Sequence, residues 1–554
     1  MRHQKVVNIY RRITYPRIAI RLLSCLTFFM LAGHLFAQMR PIKNDQFWYT
    51  AGGQPIYSQG GGIFKFKDPN TGKLTYYWYG VHYKQANLYL AKPYITQDKA
   101  SFQSVTCYQS DNLVDWHFCG DILDSTALSR QSPTWVGRLG VAYIKELKQY
   151  ALFVQHGNQV LIATSNTPAG KYTWYRRLDM TNLIGTSNTG DQTVFTDDET
   201  GKSYLIYSYG RGRGRIYVSE IGVKDGRIGL LDCKQVYKGV GREGNCLFKY
   251  RGKYYMCASN LYGWDGSFAY YLVADDIRGP YTPVNNMQVM KGAALDYAHV
   301  SQTGFFVTVK AGNEDNKEMV IYCGDRWSDF AGNGLGYNVW CPLSFNGQTP
   351  IFNSLSDWAL DVKSASWQVG DRNNYVKNGS FEADRRHIPS PVKPVQLDIL
   401  GWQTTIIKGN PLAIGEASSP VLNYFNDRLD RQYVTGEKSL LISDKIDFSR
   451  KVSQVITATD KVPLIRGSYT LRAKIRLDEG AQDGQIQMYA KSEGQSFIRQ
   501  VQFDKKKTSN HWRSLTLDNV LVTGEKVEIG FVAKAKGNSH IFIDDVSFVR
   551  NTPH

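Results

Sequence analysis

The sequence predicts an all-β chain, a five-bladed β-propeller followed by a β-sandwich of the jelly-roll kind. Three observations predict it. Between about residues 45 and 365 an apolar strand, a turn rich in Gly, Lys, Asp or Asn, and an aromatic strand recur five times, at 61–80, 141–157, 193–210, 246–260 and 304–324. Helical periodicity is almost absent between these hairpins. Beyond residue 375 the pattern becomes alternation at period two, as in 468–477 and 540–549, with turns every dozen residues or so.

In chain order, the first element is a targeting segment over 1–37. Arg11, Arg12, Arg17 and Arg21 precede the apolar run Leu22 to Leu31, and Ala37 offers a cleavage point before Gln38. The run is short for a membrane span, and nothing later approaches ~18 consecutive apolar residues, so no integral span is expected. The reading is an exported protein, periplasmic, at the cell surface or secreted. The propeller is expected over 38–367 and the sandwich over 375–554, with a boundary in the polar, Gly-containing stretch 369–374. A chain of 554 residues is too long for one ordinary core, which agrees with two domains.

The formal charge of +17 overstates the basicity, because residues 1–37 hold six Lys/Arg and no acid, which leaves +11. No Lys/Arg run resembles a nucleic-acid footprint. The eight cysteines are dispersed without a CxxC pair, which argues against zinc ribbons and redox motifs. Cys107 and Cys119 flank one predicted hairpin, in position to pair in an oxidising compartment.

Glu243 sits just before the first strand of its repeat, and Asp191 occupies the equivalent place one repeat earlier. Equivalent positions on a propeller point into one central funnel. Two carboxyls converging there would raise one pKa, as a general acid requires. Tyr262 and Trp264 follow the Glu243 hairpin and are candidates to stack on a sugar ring. Asp325 and Arg326 read as an ion pair bracing the last blade, with Arg326 also a candidate substrate contact. His82 and His299 are lone histidines, and the basic loop 210–215 reads as a solvated turn.

Several segments taken together resemble glycoside hydrolase family 43, in its branch of exo-acting galactan 1,3-β-galactosidases. They are GGGI and YYWYG (60–63, 76–80), YQSDNLVDW (108–116), ATSNTPAGKYTW (163–174), GDQTVFTDDETGKSYLIYS (190–208), the Glu243 segment, and YCGDRWSDF with YNVWCPLSF (322–330, 337–345). The resemblance implies Glu243 as general acid and Asp191 as the acid that orients it and tunes its pKa. The first-blade segment 48–63 lacks the family's usual aspartate base. In this branch a late glutamine takes its place, which implies that Gln302 positions the attacking water. Where the branch shows Ala-His-Gly-Gly-Gly this chain has Ser58-Gln59-Gly60-Gly61-Gly62, and where it shows Glu-Arg-Pro-Lys this chain has Gln131-Ser132-Pro133-Thr134. Gln59 and Gln131 are thus candidate substrate contacts, and the loss of a charged partner at Gln131 bears on sugar identity.

Residues 375–551, with VKNGSFE at the start and IDDV at the end, resemble carbohydrate-binding modules of the family 4 and 9 type. That resemblance implies a glycan ligand and a structural calcium, with Glu382 and Asp545 as ligands. The combined expectation is an inverting exo-glycosidase of plant-type galactan or arabinogalactan, a β-galactosidase, with an oligo- or polysaccharide as its substrate and no cofactor for catalysis. The alternatives are an α-L-arabinofuranosidase of the same family and a non-catalytic glycan-binding propeller.

Overall fold

The computed structural model describes residues 39–95, 100–128, 136–262, 267–294, 301–312, 317–326, 338–383, 398–416, 419–427, 429–478, 484–494, 499–502 and 511–551. The expected targeting segment, Gln131, Trp264 and His299 lie outside them. Within them the chain is all-β, its α-helices being the short Ala86–Ala91 and Thr181–Ile184. Among the described residues no helix is long and apolar enough to cross a membrane.

Five antiparallel sheets follow one another along the chain. They span 59–124, 136–178, 189–238, 243–289 and 302–352, and in each the strands pair in sequence order, with one additional edge strand in the third. The first strands are Gln59–Lys67, Val136–Ile144, Thr189–Thr196, Glu243–Tyr250 and Gln302–Lys310. Each lies against the first strand of the next sheet, and that of the fifth lies against that of the first. These strands are buried through most of their length, and each holds a glycine within its first three residues, where five strands converge. A Cβ on Gly61 would come within 1.7 Å of the Tyr79 carbonyl oxygen.

The five inner strands share one irregularity. Each is bulged near its start, between Gln59 and Gly62, Val136 and Leu139, Thr189 and Gln192, Glu243 and Cys246, and Thr303 and Phe305. A bulge breaks the strict in-out alternation of a strand and re-aims the side chains beside it. Polar side chains in an otherwise buried strand are thereby turned together at one end of the ring.

The strand Arg40–Lys43 pairs with Asp357–Asp361, which pairs with Ser366–Val369. Asn44 fastens this piece to the fifth sheet. Its Nδ2 donates to the carbonyls of Trp340 (2.9 Å) and Leu355 (2.7 Å), and its Oδ1 accepts from the Trp340 amide (3.0 Å). Trp78, Trp116, Trp340 and Trp358 are fully buried, and the Trp78 ring packs 5.1 Å from Trp340 and 5.3 Å from Trp116. Large aromatic faces at this junction supply the apolar burial that ties the first sheet to the last.

The remaining strands build two separate five-stranded sheets. One runs Gln403–Lys408, Phe448–Thr457, Lys526–Ala535, Gln485–Ser492, Arg499–Gln502; the other runs Val421–Phe425, Lys438–Ser443, His540–Arg550, Gly467–Leu477, Arg513–Val522. One apolar core, including Val452, Met488, Ile529 and Phe531 from the first sheet and Leu440, Leu471, Ile541 and Phe548 from the second, lies between them. The polar stretch 369–374 is firmly tied on both sides. Asn373 Oδ1 accepts from the Ser356 amide (3.0 Å) and Asn374 Oδ1 from the Phe548 amide (2.9 Å), while Lys377 Nζ donates to the Ser354 carbonyl (2.6 Å).

Candidate active site

The bulged ends of the inner strands bring together Arg138, Asp191, Glu243 and Gln302, from four different sheets. Asp325 joins them from the second strand of the fifth sheet, where it pairs with Gln302. The loop before strand Arg215–Lys224 adds Arg213, which holds a left-handed φ of 45°.

Glu243 is 6% exposed, and both its carboxyl oxygens are engaged. Gln302 Nε2 donates to Oε1 at 2.8 Å, and Arg213 Nη1 lies 2.6 Å from Oε2. The same Arg213 nitrogen is 3.1 Å from Asp191 Oδ1, so one guanidinium bridges the two acids. Asp191, 4% exposed, also accepts from the Gly244 amide at 2.7 Å, which fixes it beside the Glu243 backbone. Gly244 adopts φ 62°, and a Cβ there would meet the Thr303 carbonyl oxygen at 2.4 Å, so glycine is required.

Arg138 is the hub behind these groups. It is 2% exposed. Its Nη1 bonds Asp325 Oδ2 at 2.9 Å, its Nη2 donates to Gln302 Oε1, and its Nε lies 3.7 Å from Asp191 Oδ2. Asp325 Oδ1 accepts from the Gly60 amide at 3.1 Å, which ties the first sheet into the same network.

The electrostatics separate the two central acids. Burial, reinforced by the Asp191 charge, pushes the Glu243 carboxyl up to about 8 in spite of the nearby arginines. Burial acts on Asp191 in the same direction, but Arg213 and Arg138 outweigh it and hold this carboxyl below its ordinary value. At neutral pH the site therefore holds a protonated Glu243 beside an ionised Asp191. Burial raises Asp325 despite its bond to Arg138.

The sequence reading placed Glu243, Asp191 and Gln302 near one another, and they do meet. Gln302 is in direct contact with Glu243, at 2.8 Å, rather than across a gap wide enough for a sugar and a water. Arg326 needs a correction. Its partner is Asp45, at 2.7 Å, while Asp325 pairs with Arg138; with 1% side-chain exposure, Arg326 braces the structure and presents no surface to a sugar. Gln59 is buried at the start of the first inner strand, beside the Gly60 amide that binds Asp325. Tyr262 is half-buried after the strand Lys253–Ser259. The loop 210–215, read as a solvated turn, sends Arg213 into the site. Arg138 was missed entirely. Its signal was a lone charge inside the apolar strand VGRLGVAYI, where a buried arginine demands buried acids.

In the second pair of sheets Glu382 is buried, and its Oε1 accepts from the amides of Glu437 (2.8 Å) and Lys438 (2.5 Å). Its Oε2 is buried without a hydrogen-bond partner. Asp544 is also fully buried, and burial raises both carboxyls well above the ordinary range. Asp545 instead accepts from the Thr435 amide at 3.2 Å. Among the described residues no three His, Cys, Asp or Glu side chains come together as a metal cluster.

Residues 83–315 match the family model described as glycosyl hydrolases family 43, and this span includes Arg138, Asp191, Arg213, Glu243 and Gln302. Among solved structures, the chain is similar to an exo-beta-1,3-galactanase from Phanerochaete chrysosporium with galactose, at 19% identity and a TM-score of 0.49 over 91% of this chain and 100% of that one. It is also similar to an exo-beta-1,3-galactanase from Clostridium thermocellum, at 20% identity and a TM-score of 0.48 over 72% of this chain and 83% of that one. No curated protein matches it. Over residues 83–315, the stretch that holds these five side chains, the chain is thus similar to glycosyl hydrolases family 43.

Proposed function

We propose that the chain is an exo-acting, inverting β-galactosidase of galactan-type glycans, with Glu243 as general acid. The closed ring of sheets is read as a five-bladed propeller over 38–367, and the two later sheets as a sandwich over 375–554 that binds glycan or braces the ring. One observation carries the reading. Glu243 is a buried carboxyl kept protonated at neutral pH, held against an ionised Asp191 where five inner strands meet.

The chemistry follows from those protonation states. Glu243 gives its proton to the glycosidic oxygen as the bond to the anomeric carbon lengthens, and the leaving sugar departs neutral. Asp191 and Arg213 fix the carboxyl during transfer. Water attacks the anomeric carbon from the opposite face. Positioning that water by Gln302 requires the Gln302–Glu243 contact to open as the sugar enters, since inversion needs the two groups about 6.5–9.5 Å apart. Galactose is read from the segments that resemble the galactanase branch. A non-catalytic glycan-binding ring is the second reading, favoured by the occupation of both Glu243 oxygens by Gln302 and Arg213.

Release of sugar from an aryl β-galactoside, an aryl α-L-arabinofuranoside and arabinogalactan, with the product anomer followed by NMR, separates these readings. Galactose appearing first as the α-anomer is the expected result. Arabinose release would reassign the sugar, and no release from any of them would favour the binding ring.

The acid also sets a pH dependence. The active form is protonated, so kcat/KM should fall as pH rises through about 8, the value to which Glu243 is pushed. Arg213 favours the charged carboxylate, so Arg213→Gln should move this alkaline limb upward. A limb that stays in place in the variant would contradict the assignment of Glu243.

Export of the chain and a calcium in the sandwich complete the proposal. The orphaned Glu382 Oε2 suits a cation, and Asp544 would be its second ligand in place of Asp545.

A further inference from the structure

The first sheet carries two thiols that the proposed reaction does not use. Cys107 lies in the strand Phe102–Ser110 and Cys119 in its neighbour His117–Asp124. The ladder matches Cys107 with Gly120 and Tyr108 with Phe118, which leaves Cys119 as the extra residue of a bulge. In a regular ladder position 119 would oppose Tyr108, and its side chain would stand on the face away from Cys107. The bulge releases it from that alternation. Cys119 Sγ lies 3.9 Å from Oε1 of Gln109, a residue two positions from Cys107 and on the same face. Cys119 packs on the core cluster that contains Cys107, which sets the two thiols on one side of the ladder.

Their surroundings differ in a way that orders a reaction. Cys107 is fully buried, whereas Cys119 is half-exposed. Burial raises the Cys107 thiol, while the neighbouring Cys107 thiol lowers that of Cys119, so the accessible sulfur is also the more readily ionised one. The remaining described cysteines lack this arrangement. Cys246, Cys257, Cys323 and Cys341 are buried, and Cys233 bonds the Tyr207 hydroxyl at 3.3 Å.

We propose that Cys107 and Cys119 form a thiol–disulfide couple, oxidised by a disulfide donor such as glutathione disulfide or a dithiol oxidoreductase. The Cys119 thiolate attacks one donor sulfur, the donor S–S bond breaks, and one donor thiolate leaves and takes up a proton. Cys107 then attacks Cys119 Sγ, loses its proton, and expels the second donor thiol. Two protein thiols are oxidised and one donor disulfide is reduced. The bond closes the turn 111–116, which carries the buried Leu113 and Trp116, so it staples an outer edge of the sheet away from Glu243.

The test uses the full chain incubated with glutathione disulfide, then unfolded in an alkylating agent, digested and weighed. The expected product is a peptide pair joined through Cys107 and Cys119, lighter by two hydrogen atoms and absent in Cys119→Ser. Cys233→Ser should leave it intact. The oxidised protein should unfold at a higher temperature than the reduced one, a difference that Cys119→Ser removes. If either substitution prevents folding, Cys107→Ala gives the same readout. Full alkylation of both residues after oxidation, or a lasting glutathione adduct on Cys119 beside an alkylated Cys107, would overturn the proposal.

Discussion

Glu243→Gln is expected to lower kcat on an unactivated galactan oligosaccharide by about 10²–10⁴-fold, the range lost when a positioned proton donor is removed. The substitution keeps the size of the side chain and removes the proton held by the carboxyl pushed up to about 8. An aryl galactoside with an acidic phenol should suffer far less, because its leaving group departs without protonation. That contrast separates a lost acid from a damaged site, since misfolding would depress both substrates equally. KM should change little, and the alkaline limb should disappear from the residual activity. A variant that hydrolyses the oligosaccharide at more than a tenth of the parent rate would remove Glu243 from its role.

Arg138→Met should be the most destabilising single change in the site, by about 3–5 kcal/mol, the cost of leaving a buried charge uncompensated. Methionine approximates the length of the side chain but none of its donors. Asp325 would lose its 2.9 Å partner, Gln302 would lose a donor to its Oε1, and Asp191 would lose one of the two arginines beside it among the described residues, keeping Arg213. Activity should fall as well, since Asp191 and Gln302 both touch the Glu243 segment. The double variant Arg138→Met with Asp325→Asn should recover part of the stability, because it deletes the orphaned carboxylate. Urea unfolding of the three proteins measures this. A loss below 1 kcal/mol in the single variant, or no recovery in the double, would show that the hub carries no such charge balance.

The repeats made the five sheets readable, because each hairpin declares itself locally through apolar strands and a polar turn. Glu243 and Asp191 were readable for the same reason, as acids at matching offsets in two repeats. Arg138 was not. It stands 187 residues from Asp325 and 164 from Gln302, and no local spacing announces a contact of that kind. Arg213 was hidden differently, within a Gly-Arg loop whose composition is that of an exposed turn. Arg326 was assigned to its sequence neighbour Asp325, although in an antiparallel ladder adjacent residues point to opposite faces.

From the sequence alone one could determine which residues make strands, where hairpins turn, and which two acids sit at equivalent ends of repeats, since all of these depend on short-range pattern. Tertiary structure decided which acid is protonated. That outcome depends on burial, on a bulge in each inner strand, and on two arginines brought from distant segments, and charges act through space rather than along the chain.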